Sequence, residues 1–351
     1  MTQWDFLVAK DDLARTEIRP TALPEMIGAG EVLFEIERFS FTANNITYAV
    51  FGDQMGYWQF FPAPEGWGRI PVWGFARVLR SEVEGIDPGL RLYGYWPMST
   101  HFVARMRRDG SDYVDAAAHR AALPSPYNQY FHAPETPHDD VIALLRPLFI
   151  TSFLIDDLLA EIAPGATAIL SSASSRTALG LAWLLARRGT PVVGLTSPGN
   201  VAFVQATGLY ATVATYDAIG PLALEGPVVF IDFAGDTVAR SAVHHLVGDR
   251  LLHSATVGVT RHEARGVPSK APLPGPRPAF FFAPDRFLER AKVVGGQTLN
   301  DEAATALLAF ADDSPWLHID HYRGSDELGR LYASVRTGQA SSDRGNVALP
   351  G

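Results

Sequence analysis

Between residues 31 and 39 the chain reads E-V-L-F-E-I-E-R-F, with apolar Val32, Phe34 and Ile36 set against charged Glu31, Glu35 and Glu37 around Leu33. Such alternation predicts a half-buried strand. Short apolar segments continue to about residue 130, among them 71–79 and 90–95, broken by Gly66, Gly68, Gly74, Gly85, Gly89 and Gly94. Short strands with tight turns predict a barrel or a folded sheet. After Pro147 the period changes. Residues 148–162 put apolar side chains on one face of a helix and the Asp156-Asp157 pair near the other, and Pro164-Gly165 ends it. Strand and helix then alternate, with strands expected at 167–170, 191–195, 212–214 and 228–233 and helices at about 178–188 and 198–207. That spacing predicts a parallel, doubly wound sheet. Residues 267–284 carry Pro268, Pro272, Pro274, Pro276 and Pro278 and read as an extended loop before a strand at 280–282.

A length of 351 residues is about twice a modal domain, so two domains are expected. Hydrophobic residues at 47% and charged residues at 19%, with a mean hydropathy of +0.04, are the balance of a folded, soluble chain. The most apolar stretch, 141–159, is interrupted by Arg146, Pro147, Asp156 and Asp157, and falls short of the roughly 20 apolar residues a bilayer span needs. A net charge of −9 and a pI near 5.6 offer polyphosphate no long-range attraction. The expected partner is therefore a small molecule, with neither nucleic acid nor membrane. The chain has no cysteine, which excludes disulfides, thiolate nucleophiles, Cys-ligated zinc and iron–sulfur clusters. Its first residues lack the basic start and apolar run of a signal peptide, so the cytoplasm is the expected compartment. His101, His132, His244, His245, His253 and His262 are scattered without an H-E-x-x-H, and no metal site is expected. No G-x-S-x-G occurs, which argues against an α/β-hydrolase.

Four stretches follow one another in order: Gly30-Glu31-Val32-Leu33-Phe34-Glu35-Ile36, Gly89-Leu90-Arg91-Leu92-Tyr93-Gly94, Pro164-Gly165-Ala166-Thr167-Ala168-Ile169-Leu170, and V-V-F-I-D-F-A-G at 228–235. They resemble the opening strand of a GroES-like domain, a G-D-R-V-x-G turn with Leu90 in place of Asp, the P-G-x-x-V-L-V strand that opens a Rossmann domain, and its later V-D-V-V-x-D-x-x-G strand. Together they are similar to the medium-chain dehydrogenase/reductase superfamily, in its zinc-independent quinone oxidoreductase-like and enoyl reductase-like branch. N-N-I-T-Y-A-V-F-G-D at 44–53, G-Y-W-x-F-F-P at 56–62 and S-S-A-S-S-R-T-A at 171–178 resemble a bacterial family, DUF2855, at the edge of that superfamily. The resemblance implies an α/β chain: a GroES-like β domain at 1–150, a Rossmann-like doubly wound domain at 151–285 that binds nucleotide, and a return at 286–351 packing on the first domain.

Where the superfamily has a glycine cluster, this chain has Ala173-Ser174-Ser175-Arg176-Thr177-Ala178-Leu179, with Gly180 one place late. The glycines that let backbone approach a pyrophosphate are missing. A helix N-terminus still offers N–H groups and a positive dipole end. The hydroxyls of Ser172, Ser174, Ser175 and Thr177 and the fork of Arg176 are further phosphate donors. The same serines are also ordinary helix caps, and both readings stand. The second strand runs into Thr196-Ser197-Pro198-Gly199-Asn200 with no acidic residue for ribose hydroxyls. Thr196, Ser197 and Asn200 therefore favour NADP over NAD, or form an ordinary polar turn. Tyr216 falls where the family often stacks a tyrosine on adenine, and equally reads as a core aromatic.

Tyr48 stands four residues before Gly52, where the resemblance implies a tyrosine near nicotinamide and substrate. A phenol, with a pKa of about 10, can donate a proton or hydrogen bond to a carbonyl oxygen. The family's asparagine corresponds to Asn44 or the adjacent Asn45. The alternative for Tyr48 is a packed strand or loop aromatic. Tyr57, Trp58, Phe60, Phe61, Trp67, Trp73, Tyr93, Tyr95 and Trp96 crowd the same region, as the wall of a pocket or as a core with a homodimer surface. The implied function is NADP(H)-dependent reduction of an enone, quinone or enoyl thioester. A lyase or isomerase on the same scaffold, or a non-catalytic nucleotide or anion sensor, are the alternatives.

Overall fold

The computed structural model describes residues 3–110, 112–257, 273–339, 341 and 343–351. Part of the proline-rich stretch expected at 267–284, with Pro268 and Pro272, lies outside the described residues, as does His262. The chain divides into two units, Met1–Leu144 with Leu317–Gly351, and Leu145–Trp316.

In the first unit the expected strand runs Glu31–Ser40 and pairs antiparallel with Pro71–Ser81 on one side and His101–Asp109 on the other. The strands Arg91–Pro97, Gln129–His132 and Asp112–Asp115 complete the circuit back to His101–Asp109, so six strands close into a barrel. Closure leaves these strands no free edge around the ring. Phe34, Val78, Leu92, Trp96, Met106 and Tyr130 lie in its core. Gly94 is dictated by this packing, because a Cβ there would stand 2.1 Å from the Tyr130 ring. Gln3–Ala9 forms a separate small sheet with Thr16–Thr21 and Trp67–Gly68. The parallel pair His318–Arg323 and Arg344–Leu349 joins the end of Glu31–Ser40 that lies beyond its pairing with His101–Asp109, Val347 and Ala348 standing opposite Ser40 and Phe39. Between them the helix Gly324–Arg336 buries Leu328, Leu331, Tyr332 and Val335, one helical face, in the same core.

The helix expected from residue 148 begins nine residues earlier, at Asp139, and runs to Ile162 with Pro147 inside it. Proline removes one hydrogen bond from a helix, but Ala143, Leu144 and Leu145 before it are fully buried, and that packing carries the helix through. The second unit is built on six parallel strands in the order Thr212–Thr215, Val192–Thr196, Thr167–Leu170, Val228–Asp232, Leu251–Val257 and Ala279–Phe281. Alternate residues face opposite cores. Ala168, Leu170, Val229 and Ile231 pack with Ala178, Leu181 and Leu185 of the helix Arg176–Arg187. Ile169, Val193, Leu195 and Phe230 pack with Ala239, Val243 and Val247 of the helix Thr237–Val247. Burial on both faces is why these strands read as continuous apolar runs. The helices Ala283–Val294 and Gly296–Asp312 belong to this unit, because Leu299, Phe287 and Val294 join its core and Phe310 packs 5.4 Å from Phe149. The return to the first unit therefore begins at Leu317 and not at 286.

Candidate functional site

In a doubly wound sheet, ligands bind outside the carboxyl ends of the strands where strand order reverses. Here that point lies between Thr167–Leu170 and Val228–Asp232. A groove of about 410 Å³ with Thr167, Pro191 and Thr212 in its lining lies at the amino ends of the strands, away from this point.

The turn after Leu170 is tied down by side chains. The Ser171 hydroxyl donates to Asp232 Oδ1 at 2.8 Å and accepts the Ala234 N–H at 3.0 Å. Asp232, 1% exposed, also accepts the N–H groups of Ala234 and Gly235, and Arg240 forks onto its other oxygen at 3.0 and 2.7 Å. Neither Asp232 nor Arg240 carries a role in the sequence reading; the signal was the Asp inside V-V-F-I-D-F-A-G. Ser172 takes a left-handed φ of 52°, a conformation normally left to glycine. Its N–H donates to the Tyr216 hydroxyl at 2.9 Å, and the Tyr210 hydroxyl donates to the next carbonyl, that of Ala173, at 2.8 Å. Ser175 is the N-cap of Arg176–Arg187, its hydroxyl accepting the Ala178 N–H at 3.3 Å.

Ser172, Ser174, Ser175, Arg176, Thr177 and Tyr216 are thus brought to one turn, and all are partly exposed. Thr196 is buried at the end of the neighbouring strand, and Asn200 Nδ2 donates to the Ser197 hydroxyl at 3.1 Å. The first-turn N–H groups of a helix have no partner within the helix, and Ser175 takes only that of Ala178. A helix N-terminus, hydroxyls and a guanidinium at the switch point fit the phosphates of a dinucleotide. Tyr210 is a residue the motifs did not indicate.

In the first unit Tyr48 lies on a helix, Ala43–Val50, and not in the strand or loop of its alternative reading. Asn45 builds that helix: its Oδ1 accepts the Thr42 N–H at 2.8 Å, its Nδ2 donates to the Pro71 carbonyl at 2.9 Å, and it is 3% exposed. Asn44, one residue earlier and partly exposed, donates through Nδ2 to the Tyr48 oxygen at 2.8 Å. Gly52 admits the Trp58 indole, whose Nε1 would stand 2.1 Å from a Cβ at that position.

Tyr48 belongs to a cluster with Tyr57, Phe60, Phe61 and Tyr95, edged by Trp73 and Tyr127. The Tyr57 ring lies 4.5 Å from that of Tyr48 and 6.1 Å from that of Tyr127. Burial raises the pKa of Tyr48, Tyr95 and Tyr127 well above the ordinary phenol value, so all three stay protonated. Such a phenol is a hydrogen-bond donor, not a base. Behind Phe61, at 4.6 Å, sits buried Arg120, paired with Asp115 at 3.2 Å. Among the described residues no group of three or more His, Asp or Glu could hold a metal, and no helix is long and apolar enough to cross a membrane.

A GroES-like β unit with a Rossmann-like parallel sheet is the fold of the medium-chain dehydrogenase/reductase superfamily. The chain belongs to the family described as protein of unknown function DUF2855, whose model matches residues 39–341. No curated protein matches the sequence. Similar solved structures include CurA from Vibrio vulnificus, at 11% identity and a TM-score of 0.68 over 100% of this chain and 99% of that one, a protein also solved in complex with NADPH. The Etr1p/NADP/crotonyl-CoA complex matches at 13% identity and a TM-score of 0.61, over 99% of this chain and 100% of that one; Etr1p is a mitochondrial 2-enoyl thioester reductase of Candida tropicalis. The yhdH oxidoreductase from Salmonella enterica, in complex with NADP, matches at 14% identity and a TM-score of 0.58, over 99% and 100%. At such identities the likeness establishes the fold.

Proposed function

We propose that this protein is a zinc-independent, NADP(H)-dependent oxidoreductase that reduces the conjugated carbonyl of an enone, quinone or enoyl thioester. The observation that carries the reading is the turn at 171–176, a left-handed serine followed by a capped helix at the switch point of a parallel sheet. Structures of the same fold that hold NADPH or NADP, one of them with crotonyl-CoA, support it. The dinucleotide, when bound, supplies hydride from nicotinamide C4. The hydroxyls of Ser174 and Thr177, the first N–H groups of the helix and Arg176 hold its phosphates. Uncharged Thr196, Ser197 and Asn200 leave room for a 2′-phosphate where an acidic residue would repel it. Tyr48, kept protonated by burial and oriented by Asn44, donates to the acceptor's carbonyl oxygen.

Thermal unfolding with saturating NADPH and NADH tests the cofactor, since a ligand of the folded state raises the apparent melting temperature. NADPH is expected to raise it more than NADH. Arg176→Ala is expected to weaken NADPH by about 10- to 150-fold, the worth of one charge-assisted bond of roughly 1.5–3 kcal/mol. No shift with either nucleotide would remove the dinucleotide from the reading.

A further inference from the structure

We propose that Tyr210 and Tyr216 are positioning residues of the nucleotide site: their hydroxyls, reaching across the middle strand Val192–Thr196 from opposite faces of the sheet, hold residues 172 and 173 in the shape that a nucleotide diphosphate meets. The inference rests on the dinucleotide reading above and deepens it. It gives Tyr216 a part other than stacking on adenine, and Tyr210 a part that no motif assigns.

The backbone hydrogen bonds of the turn show why such struts are needed. Ser171 N–H donates to the Ile231 carbonyl at 3.1 Å on one side, and Ala173 N–H to the Leu195 carbonyl at 3.0 Å on the other. Ser172 stands between these two strand bonds at a left-handed φ of 52°, and its own N–H goes to the Tyr216 hydroxyl at 2.9 Å. The Ala173 carbonyl, next along, takes the Tyr210 hydroxyl at 2.8 Å. Ser175 N–H closes the turn on the Ser172 carbonyl at 2.7 Å. Two phenols thus satisfy the backbone groups that strand and helix leave over.

Both side chains are placed for this reach. Tyr216 directly follows Thr212–Thr215, a strand separated from Thr167–Leu170 and its turn by Val192–Thr196. Its ring packs on the core of Ile169, Val193 and Leu195. Tyr210 packs on the core of the opposite face, with Ala168 and Leu170. Gly194 makes way for it, because a Cβ there would stand 2.8 Å from the Tyr210 ring and 2.9 Å from the Ala173 Cβ. The turn has no glycine, but the neighbouring strand has one, and it admits the ring that holds the turn. A left-handed residue other than glycine is disfavoured by a factor of about 5–30. Without its struts the free turn relaxes, and apparent affinity falls with the fraction that keeps the binding shape.

The test measures dissociation constants by calorimetry on the full chain with two probes that share the diphosphate, NADPH and ADP. Tyr216→Phe keeps the ring, removes the hydroxyl and is expected to weaken both probes by about 5- to 30-fold. In a Ser172→Gly background the same change should cost less than about threefold, because glycine holds the left-handed shape unaided. Tyr210→Phe is expected to behave alike, and it decides the matter should Tyr216→Phe fail to fold. Without any probe, amide hydrogen exchange over residues 171–175 should quicken by about 10-fold in either variant. Unchanged affinity in the phenylalanine variants overturns the proposal, and is what an adenine platform at Tyr216 predicts. So does a loss that persists in full beside Ser172→Gly. Binding of ADP without NADPH counts against the oxidoreductase reading and leaves the struts to be decided with ADP, whereas binding of neither probe overturns both.

Discussion

Replacing Asn45 by alanine separates the asparagine that builds the Tyr48 helix from the one that faces the phenol. Asn45 is 3% exposed and satisfies two backbone groups, the Thr42 N–H at 2.8 Å and the Pro71 carbonyl at 2.9 Å. Losing a capping bond of this kind costs about 1 kcal/mol. Leaving the buried Pro71 carbonyl unpaired costs about 1–3 kcal/mol more, so Asn45→Ala should lose about 2–4 kcal/mol. For a unit of this size that lowers the melting temperature by roughly 5–15 °C. Asn44→Ala removes one bond from a partly exposed amide and should lose at most about 1 kcal/mol, while acceptor reduction falls about 10- to 100-fold. Urea unfolding followed by far-UV circular dichroism gives the first quantity, and NADPH consumption gives the second. If Asn45→Ala unfolds within about 0.5 kcal/mol of wild type, or if Asn44→Ala is the more destabilising of the two, the assignment of the two side chains is wrong.

Gly52→Ala should destabilise by about 1–3 kcal/mol in the same urea assay, because its Cβ meets the Trp58 indole at 2.1 Å; a neutral result would mean that the ring moves freely. Arg240→Ala leaves the buried Asp232 carboxylate without its fork and should lose about 3 kcal/mol, with Arg240→Lys recovering part of it. His101 and His253 are held below the ordinary imidazole pKa by burial, against a weaker opposing pull from Glu35 at His101. The unfolded chain then takes up protons first, so stability present above about pH 6.5 is lost as pH falls through the folded values. Urea midpoints at about pH 7.5 and 5.5 should show that drop, and it should shrink in a His101→Gln, His253→Gln variant; an equal drop in both proteins speaks against it. Ser172→Gly should change stability by less than about 1 kcal/mol, whereas Ser172→Val, a branched side chain at positive φ, should cost about 1–3 kcal/mol by thermal unfolding.

The parallel sheet was legible because its strands are buried on both faces and separated by Pro-Gly and Ser-Pro-Gly turns: 167–170 is recovered residue for residue, and 228–232 lies within the expected 228–233. Harder to read was Ala43–Val50, where asparagine, threonine, valine and isoleucine are weak helix formers. That helix exists because Asn45 can bond Thr42 and Pro71 at once, and the second partner is 26 residues away. Pro147 hid the first turns of Asp139–Ile162 for a similar reason, since tertiary packing there outweighs a local breaker. Barrel closure pairs Glu31–Ser40 with His101–Asp109, a register set by no local turn. The short polar strand His318–Arg323 has mostly exposed or half-buried residues and no period-two signal. At the site, Asp232 stood inside a quoted motif, but its role depends on Arg240, eight residues on and across a loop.

The serine-lined turn answers the loss of glycine in a definite way. Glycine reaches a left-handed conformation without cost, so a glycine turn can stay open to a ligand without further support. A serine there carries strain of about 1–2 kcal/mol that its surroundings must offset. The surroundings here do so through three fixed contacts: Tyr216 on the Ser172 N–H, Tyr210 on the Ala173 carbonyl, and Ser171 on buried Asp232. A turn pinned on both flanks before ligand arrives pays less ordering entropy on binding than a free one, which compensates for backbone donors already in use. Conformational freedom has been exchanged for preorganisation. In that exchange the side chains of Ser171, Tyr210 and Tyr216 fix the shape of a turn that would otherwise rely on glycine.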